Sequence, residues 1–398
     1  MKAVILAAGK GTRFMPFTTT KSKVLLPVAG KPFLWFLIKD LRKAGFEDKD
    51  IGLVVGHKKE QIQEFLKEHN IDAKLIEQKE QLGTAHAVQQ AKEFVGEDNF
   101  VVLMGDNLYS ADDIKEMTEK KEICIAAAMH ERPQQFGALV VEEGYLKDII
   151  EKQESTGPGL VNTALYKFTP KVFSFLDKLE KSERKEFELT DAVCALAKEG
   201  PVIVHKSKGY WVDFTYPWHF FDVNKFLLDR IESRIEGNVS DKATVNGKIV
   251  IEKGAEIMLN VHIEGPVYIS KGCKIGPNSY LRPGTFLGEN VRVGNGCEIK
   301  NSIVMKNTKI PHLSYVGDSV IGENCNLGAG TSIANLRFDD KHVIVAVKNE
   351  RMSSGRRKLG AFIGDNVQTG INCSIMPGVV IKEGSIVRPH SLINKDII

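Results

Sequence analysis

The sequence predicts two domains of different class: an α/β domain with a mostly parallel sheet, followed by an all-β domain built as a parallel β-helix. The chain has 398 residues, more than one hydrophobic core usually serves. Its first part alternates short apolar runs with helical patterns, and its last part repeats an aliphatic residue every six positions. We therefore place the domains at residues 1–235 and 236–398.

The composition is that of an ordinary soluble globular protein, with 42% hydrophobic and 26% charged residues. A formal net charge of +3 is too small to indicate binding to nucleic acid or to a membrane surface. Lys10 and Arg13 interrupt the apolar start, and no later run approaches the roughly 18 apolar residues of a membrane helix. We expect a cytoplasmic protein.

The first part of the chain alternates strands and helices. Buried strands are predicted at residues 2–7, 51–55, 73–76 and 100–104. The helices between them are predicted at residues 32–44, 57–68 and 84–94. This order implies a mostly parallel sheet, whose ligands gather at the carboxyl ends of the strands.

From residue 122 to residue 213 strands dominate. They are predicted at residues 124–129, 137–141, 161–168 and 202–205, with a helix near 188–198. A helix over 217–235 is expected to connect this domain to the next.

After residue 235, glycines and short apolar residues replace the helical patterns. Aliphatic residues recur every six positions, as in Ile275, Leu281, Leu287, Val293 and Ile299. This period is typical of a parallel β-helix, in which six residues form one face of a triangular coil and the aliphatic residue points inward. Residues 337–359 break the period, are rich in lysine and arginine, and are predicted to form an inserted basic loop.

The six cysteines contain no Cys-x-x-Cys pair, which argues against zinc and redox motifs and favours free thiols in a reducing compartment. Four of them lie four residues after the start of a repeat: Cys273, Cys297, Cys325 and Cys373. We predict that these four are small packing residues of the coil rather than ligands or nucleophiles.

A glycine-rich turn, GKGTR at residues 9–13, follows the first predicted strand. Glycine lets the backbone approach phosphate oxygens, and amide groups supply positive potential. The spacing fits neither the full dinucleotide pattern nor the Walker loop, so a plain tight turn is an alternative that this motif leaves open.

Longer motifs resemble the nucleotidyltransferase family that activates sugar 1-phosphates. LAAGKGTRF at residues 6–14 and TTTKSKVLLPVAGKP at 18–32 resemble the family patterns L-A-A-G-x-G-T-R and P-K-x-L-x-P-V. Further motifs follow in the family's order to about residue 230: Gln78, Gly83-Thr84-Ala85, Gly105-Asp106, Glu151-Lys152, Asn162 and Trp211-Val212-Asp213. Two positions depart from the pattern, since Ser22 replaces a proline and Asn162-Thr163-Ala164 replaces Asn-Ala-Gly.

This resemblance implies a Rossmann-like domain. It also implies a reaction in which a sugar phosphate oxygen attacks the α-phosphorus of a nucleoside triphosphate and pyrophosphate leaves. Catalysis of such a reaction consists of aligning the reactants and neutralising their charge. The resemblance places Arg13 on the departing pyrophosphate and Lys23 near the sugar phosphate. It makes Asp106 and Asp213 the ligands of Mg²⁺, a hard cation that prefers oxygen.

The resemblance also implies contacts to the base and to the sugar. The nucleotide would be held by Leu6, Ala7, Ala8, Gly9, Gly11, Thr12, Gln78, Gly83 and Thr84. The sugar would be held by Gly137, Glu151 and Asn162. Taken singly, each residue has a plainer interpretation, such as a solvated surface lysine or, at Asp106, a turn.

Polar and aromatic residues recur in consecutive turns of the repeat, in the runs 281–284 (LRPG), 299–300 (IK), 311–318 (PHLSYVGD), 326–331 (NLGAGT) and 334–335 (AN). These runs resemble the acetyltransferase half of the bifunctional enzymes that make UDP-N-acetylglucosamine, and the insert resembles that of the archaeal members. This resemblance implies a left-handed β-helix and makes His312 the general base that takes a proton from the sugar amine as it attacks acetyl-CoA. Imidazole titrates near neutral pH, which suits that role. The resemblance also implies that the sugar phosphate is bound by Arg282, Lys300, Tyr315, Asn326 and Lys341. It implies that acetyl-CoA is bound by Ala329 and Asn335.

Coils of this family usually form trimers with sites between subunits, so the resemblance implies a homotrimer. The favoured hypothesis is a bifunctional enzyme that acetylates glucosamine 1-phosphate and couples the product to UTP. A first alternative is a glucose-1-phosphate thymidylyl- or uridylyltransferase whose coil is only a trimerisation scaffold. A second is a non-catalytic subunit like those of the guanine-nucleotide exchange factor of translation, although Arg13, Lys23, Asp106 and Asp213 together favour catalysis.

Overall fold

A computed structural model describes residues 1–151, 157–348 and 350–398 of the chain. Its contacts divide these residues into two compact units. The first unit contains Met1–Lys10 and Leu34–Asp213, and the second contains Gly11–Phe33 and Phe214–Ile398. The second unit thus takes two segments from before residue 235, and the domain boundary at that residue stays a prediction.

The strands up to residue 213 are between two and ten residues long. They are β1 (Lys2–Leu6), β2 (Pro27–Val28), β3 (Lys31–Pro32), β4 (Ile51–Val55), β5 (Lys74–Glu77), β6 (Phe100–Met104), β7 (Asn107–Tyr109), β8 (Ile123–His130), β9 (Gly137–Glu142), β10 (Tyr145–Glu151), β11 (Gly159–Phe168), β12 (Val202–Lys206) and β13 (Trp211–Asp213). The helices are α1 (Phe33–Lys43), α2 (Lys59–Glu68), α3 (Thr84–Gln90), α4 (Lys92–Val95), α5 (Ala111–Thr118), α6 (Val172–Leu176), α7 (Leu189–Glu199) and α8 (His219–Leu228).

The central sheet of the first unit has the strand order β5-β4-β1-β6-β11-β8-β12-β10-β9. Strand β1 lies between β4 and β6 and is parallel to both, as the alternation of strands and helices predicts. Strand β11 is antiparallel to β6 and to β8, so the second half of the sheet departs from the parallel expectation. Strands β4 and β6 lie on opposite sides of β1. Connections that diverge at such a point leave a crevice beyond the carboxyl ends of the strands.

Helix α1 shows how local sequence sets an element and its end. Phe33, Leu34, Leu37, Ile38 and Leu41 recur at helical spacing and are buried. Past the helix end, Gly45 adopts φ +100°, Gly45 N donates to Arg42 O at 3.1 Å, and Phe46 N donates to Leu41 O at 3.1 Å. This pattern satisfies the last carbonyls of the helix and stops it.

The second unit is dominated by short parallel strands. They are β14 (Arg234–Ile235), β15 (Asn238–Val239), β16 (Thr244–Asn246), β17 (Ile249–Ile251), β18 (Glu256–Ile257), β19 (His262–Glu264), β20 (Val267–Ile269), β21 (Lys274–Ile275), β22 (Tyr280–Leu281), β23 (Thr285–Leu287), β24 (Arg292–Asn295), β25 (Glu298–Lys300), β26 (Ile303–Val304), β27 (Lys309–His312), β28 (Tyr315–Gly317), β29 (Val320–Ile321), β30 (Ser332–Ile333), β31 (Ile344–Val347), β32 (Glu350–Ser353), β33 (Phe362–Ile363), β34 (Gln368–Thr369), β35 (Ser374–Ile375), β36 (Val380–Ile381), β37 (Ile386–Val387) and β38 (Leu392–Ile393).

Apart from β31 and β32, these strands form a triangular coil. One face has the order β14-β17-β20-β23-β26-β29-β33-β36, and another has the order β16-β19-β22-β25-β28-β30-β35-β38. The third face runs from β15 to β27 and continues through Asn326, which bridges Lys309 and Gln368. The aliphatic residues of the six-residue period form one buried core inside the coil, as predicted.

The segment predicted as a plain basic loop contains a hairpin. Strands β31 and β32 pair antiparallel, and Val343, Val345 and Val347 on one side of the hairpin are buried. The alternation of valines gives this strand an apolar side, which explains why the segment folds. Arg356 forms an ion pair with Asp222 of α8, so the insert is also tethered within the second unit.

The four coil cysteines are buried in the core of the coil, which confirms their predicted packing role. Burial raises the pKa of Cys273 to about 12 and that of Cys325 to about 12. Only a thiolate attacks an electrophile, and a thiol with such a pKa is ionised to about one part in 10⁴ at pH 8.

We therefore expect Cys273 and Cys325 to resist 5,5′-dithiobis(2-nitrobenzoate) in the folded protein at pH 8 and to react only after urea unfolding. Cys194, which is partly exposed, is the internal comparison and should react first. Reactivity should rise as the pH approaches the raised pKa values. Rapid modification of either coil thiol in the folded protein, located by mass spectrometry, would contradict this prediction.

Among the described residues, no helix has both the length and the apolar character needed to cross a lipid bilayer.

Candidate active sites

The first candidate site begins at the carboxyl end of β1, where Leu6, Ala7, Ala8 and Gly9 follow one another. Ala7 N donates to Val54 O at 2.8 Å, and Gly105 N donates to Leu6 O at 2.9 Å. These bonds join the ends of β4, β1 and β6. The predicted nucleotide-binding backbone therefore lies at the crevice of the parallel half of the sheet.

A histidine that the sequence analysis did not single out lies beside this turn. His57 N donates to Ala8 O at 3.3 Å. Burial, and then the positive charges of Lys58 and Lys10, lower the pKa of His57, so its ring is neutral at pH 7.

Gln78 and Gly83, two further predicted nucleotide contacts, lie together. Gln78 is buried, and its amide nitrogen lies 3.2 Å from Gly83 O and 3.0 Å from Nδ1 of His86. Gly83 adopts φ +114°, and a Cβ there would lie 2.4 Å from Phe187 O, so only glycine fits. Thr84 begins α3, and its hydroxyl accepts a hydrogen bond from Leu189 N at 3.0 Å.

The two predicted metal ligands are brought together by a pair of strands. Strand β13 pairs antiparallel with β7, and Asp213 lies opposite Asn107, the residue after Asp106. The Asn107 amide satisfies all its partners when its nitrogen donates to Asp106 O at 3.0 Å and to Asp213 Oδ1 at 3.2 Å. Both carboxylates are partly exposed, so their oxygens are accessible to a cation.

Buried groups fix the position of Asn107, which contacts both aspartates. Asn107 Oδ1 accepts from the hydroxyl of Tyr109 at 3.2 Å, and that hydroxyl also lies 3.0 Å from Thr163 O. Burial holds the pKa of Tyr109 well above its usual range, which keeps the hydroxyl a donor. In the part of the chain that the structure describes, no group of three or more His, Cys, Asp or Glu forms a metal cluster. The oxygens of Asp106 and Asp213 still suit Mg²⁺, which is bound through one or two carboxylates and keeps several waters.

The predicted sugar contacts lie on β9, β10 and β11. Gly137 pairs with Glu151 across β9 and β10, and a Cβ on Gly137 would lie 3.9 Å from Cβ of Asn162. Asn162 donates to the hydroxyl of Tyr166 at 2.7 Å and accepts from Ala164 N at 2.8 Å. Lys152, which follows Glu151 in the predicted motif, lies outside the described residues. Ala164 adopts φ +58°, a conformation that favours glycine, at the position where the family pattern has glycine.

Gly11, Thr12, Arg13 and Lys23 belong to the second compact unit. Two 3₁₀ turns, Thr12–Phe14 and Lys23–Leu25, carry the last three of these residues. Gly11 adopts φ +64°, and a Cβ there would lie 3.1 Å from Cβ of Lys23. The Lys23 ammonium lies 4.8 Å from the ring centre of Phe14, and the Arg13 guanidinium lies 5.5 Å from that of Tyr216. Both cations therefore lie close to aromatic rings.

The second candidate site lies on the coil face that contains β22, β25 and β28. Arg282 pairs with Glu298 at 2.9 Å, and Lys300 pairs with Asp318 at 2.7 Å. Asp318 is buried and also accepts from Asn335. The structure thus gathers Arg282, Lys300 and Asn335 around two acidic residues.

Tyr315 completes this group. Its hydroxyl accepts a hydrogen bond from Asn335 Nδ2 at 3.2 Å. Burial, and then the charges of Asp318 and Glu298, raise the pKa of Tyr315 and keep its hydroxyl protonated.

His312 lies at a corner of the coil, where β27 ends and the chain turns towards β28. Its side chain is exposed, while its carbonyl accepts from Ser314 Oγ at 2.7 Å and from Gly330 N at 3.2 Å. Ala329 precedes Gly330, and its carbonyl accepts from Asn372 N at 2.7 Å. The imidazole is accessible on a fixed backbone, as a general base requires.

Asn326 lies on the adjacent face, away from the Arg282 group. It lines a cavity of about 600 Å³ together with Asn290, Asn307, Lys309, Asn324, Cys325 and Gln368. Lys341 is exposed in the insert, where its backbone nitrogen donates to Asp339 at 3.3 Å. A single chain therefore spreads the predicted acetyltransferase residues over two faces of the coil and the insert.

Sequence reasoning missed the supporting residues Asn107, Tyr109, Glu298 and Asp318. Asn107 directly follows the predicted Asp106, and Asp318 ends the run 311–318 that carries the second resemblance, which was the available signal. Their roles depend on strand pairing, which those motifs do not encode.

Three parts of the chain match known protein families. Residues 2–230 match the nucleotidyl transferase family, residues 263–355 match the GMPPB C-terminal domain, and residues 360–395 match six repeats of the bacterial transferase hexapeptide family. The whole chain is 46% identical to 98% of a bifunctional sugar-1-phosphate nucleotidylyltransferase/acetyltransferase from Sulfurisphaera tokodaii. The chain belongs to the bifunctional nucleotidylyltransferase/acetyltransferase family.

Another relative is the bifunctional protein GlmU of Methanocaldococcus jannaschii, 45% identical over the whole chain and 96% of that protein. Among solved structures, a putative glucose-1-phosphate thymidylyltransferase from Bacillus anthracis is 27% identical, with a TM-score of 0.53 over 59% of this chain and 98% of that one. The bifunctional family confirms the predicted fold, a nucleotidyltransferase domain followed by a left-handed β-helix. It also confirms that the chain is an enzyme and sets aside the non-catalytic alternative.

Proposed function

We propose that the coil acetylates glucosamine 1-phosphate from acetyl-CoA and that the first site couples N-acetylglucosamine 1-phosphate to UTP, releasing pyrophosphate. The observation that carries this proposal is the presence of two separate groups of polar side chains in one chain. One group centres on Asp106 and Asp213, and the other centres on the coil corner at His312.

At the first site, the backbone from Leu6 to Gly9, Gln78 and Gly83-Thr84 would hold the base. Gly137, Glu151 and Asn162 would hold the sugar. Arg13 would neutralise the pyrophosphate and Lys23 the sugar phosphate. Asp106 and Asp213 would hold Mg²⁺, with Asn107 fixing the orientation of Asp213. When bound, the ion would offset negative charge on the phosphates.

At the second site, His312 would accept a proton from the sugar amine as its nitrogen attacks the thioester carbonyl. The new C–N bond forms, the C–S bond breaks, and coenzyme A leaves as a thiol that takes up a proton. Arg282, Lys300, Tyr315, Asn326 and Lys341 would bind the sugar phosphate, and Ala329 and Asn335 the acetyl-CoA. Arginine and lysine are the usual side-chain partners of a phosphate, and Arg282 and Lys300 are held here by Glu298 and Asp318.

We infer that the coil forms a homotrimer in the cytoplasm. Apart from Lys341 in the insert, the predicted residues lie on two faces that meet at the His312 corner. A second copy against that corner would complete the site. This arrangement agrees with the trimers implied by the family resemblance.

A second candidate function uses dTTP and glucose 1-phosphate, and it is supported by the likeness to a putative glucose-1-phosphate thymidylyltransferase.

We expect the chain to release coenzyme A thiol from acetyl-CoA and glucosamine 1-phosphate, and pyrophosphate from UTP and N-acetylglucosamine 1-phosphate. A panel of UTP and dTTP against glucose, glucosamine, galactosamine and N-acetylglucosamine 1-phosphates ranks the pairs by kcat/KM. If no thiol were released above the level of a His312→Ala variant, the coil would be a scaffold only.

A further inference from the structure

The segment Gly11–Phe33, which carries Arg13 and Lys23, is packed against the coil within the second compact unit. Phe17 is buried, and its ring lies 6.4 Å from that of Phe362 in strand β33 and 5.5 Å from that of Phe220 in α8. The middle of the segment thus shares a small aromatic core with the coil.

The end of the same segment is fixed by two further residues. Asn224 of α8 is buried, accepts from Ala29 N at 2.9 Å and donates to Gly284 O of the coil at 2.9 Å. Tyr268 of the coil lies against Gly30, where a Cβ would approach its ring to 2.2 Å. A side chain at Gly30 would therefore push this contact apart.

Between these anchors, two acidic residues of the coil hold the segment next to Lys23. Thr20 Oγ1 donates to Asp365 Oδ2 at 2.6 Å, and Lys21 forms an ion pair with Glu323. Asp365 Oδ1 accepts from Glu323 N at 2.7 Å, which joins the two contacts. The side chains of Lys21 and Glu323 are 19% and 13% exposed, so solvent screens their pair less than a surface pair.

We propose that Glu323 and Asp365 are positioning residues for nucleotidyl transfer, which makes the first reaction depend on an intact coil surface. Asp365 holds Thr20 and Glu323 holds Lys21. Lys23 lies two positions after Lys21. This inference rests on the proposed role of Lys23 at the sugar phosphate. A small displacement of a charged group near the reacting phosphates lowers the reaction rate, because catalysis at this site depends on alignment of the reacting groups.

The test uses the full chain and two assays, pyrophosphate release and coenzyme A release. Lys21→Met should lower kcat for pyrophosphate release by about 10-fold, with a smaller change in KM and an unchanged rate of acetyl transfer. The matched control is Lys306→Met, because Lys306 lies 3.5 Å from the other oxygen of Glu323 but belongs to the coil itself. This control should leave both rates unchanged.

A double-mutant cycle separates positioning from simple stability. Glu323→Gln should lower kcat to the same extent as Lys21→Met, and the double variant should be no slower than either, because both remove one contact. If acetyl transfer also fell in Lys21→Met, the isosteric Thr20→Val replaces it in a cycle with Asp365→Asn. An unchanged kcat in these variants, or effects that multiply, would overturn the proposal. Absence of pyrophosphate release from the unmodified chain would instead contradict the proposed function, and the inference would fall with it.

Discussion

Replacing His312 with alanine is expected to lower kcat for acetyl transfer by about 10³-fold, the usual contribution of a positioned general base. The imidazole is exposed at the coil corner while its backbone is held by Ser314 and Gly330, so the substitution should remove the base without disturbing the coil. Pyrophosphate release should be unchanged, because the two reactions use different residues. The measurement is coenzyme A thiol release at saturating acetyl-CoA.

His262→Ala is the matched control for that experiment. His262 lies on an adjoining part of the coil, partly exposed, 3.3 Å from Glu264 and packed against the ring of Tyr280. Its removal should change the acetyl transfer rate by less than about twofold, as expected for a surface histidine outside the site. If His312→Ala kept more than about a tenth of the activity, the general-base assignment would be wrong.

Replacing Asp106 with asparagine should lower Mg²⁺-dependent pyrophosphate release by about 10³-fold, equivalent to about 4 kcal/mol of transition-state stabilisation. The near-isosteric change removes a negative charge. It leaves the backbone carbonyl that accepts from Asn107, so the pairing of β7 with β13 should persist. Acetyl transfer, measured in the same preparation, should remain at the unmodified rate.

The control for the Asp106 experiment is Asp112→Asn, an exposed carboxylate in the first turn of α5. It removes the same charge a short distance along the chain and should leave the Mg²⁺ dependence unchanged. Pyrophosphate release by Asp106→Asn at the unmodified rate, across a titration of MgCl₂, would rule out the metal assignment.

The parts of the fold that could be predicted depend on patterns between neighbours along the chain. Strand β6 coincides with its predicted residues because five consecutive apolar residues are enough to mark a buried strand. The coil follows from a six-residue period that needs no knowledge of distant partners. Strands β7 and β10 were not predicted, because β7 is only three residues long and β10 mixes charged with apolar residues.

The residue types of both candidate sites could likewise be read from motifs, but their support could not. Asp106 stands in a recognisable motif, whereas the role of Asn107 depends on the antiparallel partner that places Asp213 opposite it. Lys300 was predicted, whereas the buried carboxylate of Asp318 that holds it comes from the next turn of the coil. The insert at 337–359 shows the same limit, because its valines bury only once the hairpin has formed.

The amino-acid sequence by itself determined the two fold classes and their order along the chain, and it supplied the residue types proposed for both candidate sites. Only the tertiary structure decided that the segment with Arg13 and Lys23 is held by the coil, through pairs such as Thr20 with Asp365, which are 345 residues apart. The physical reason is that periodicity and motifs record short-range preferences of the backbone. A contact between distant residues exists only after the whole path between them has folded.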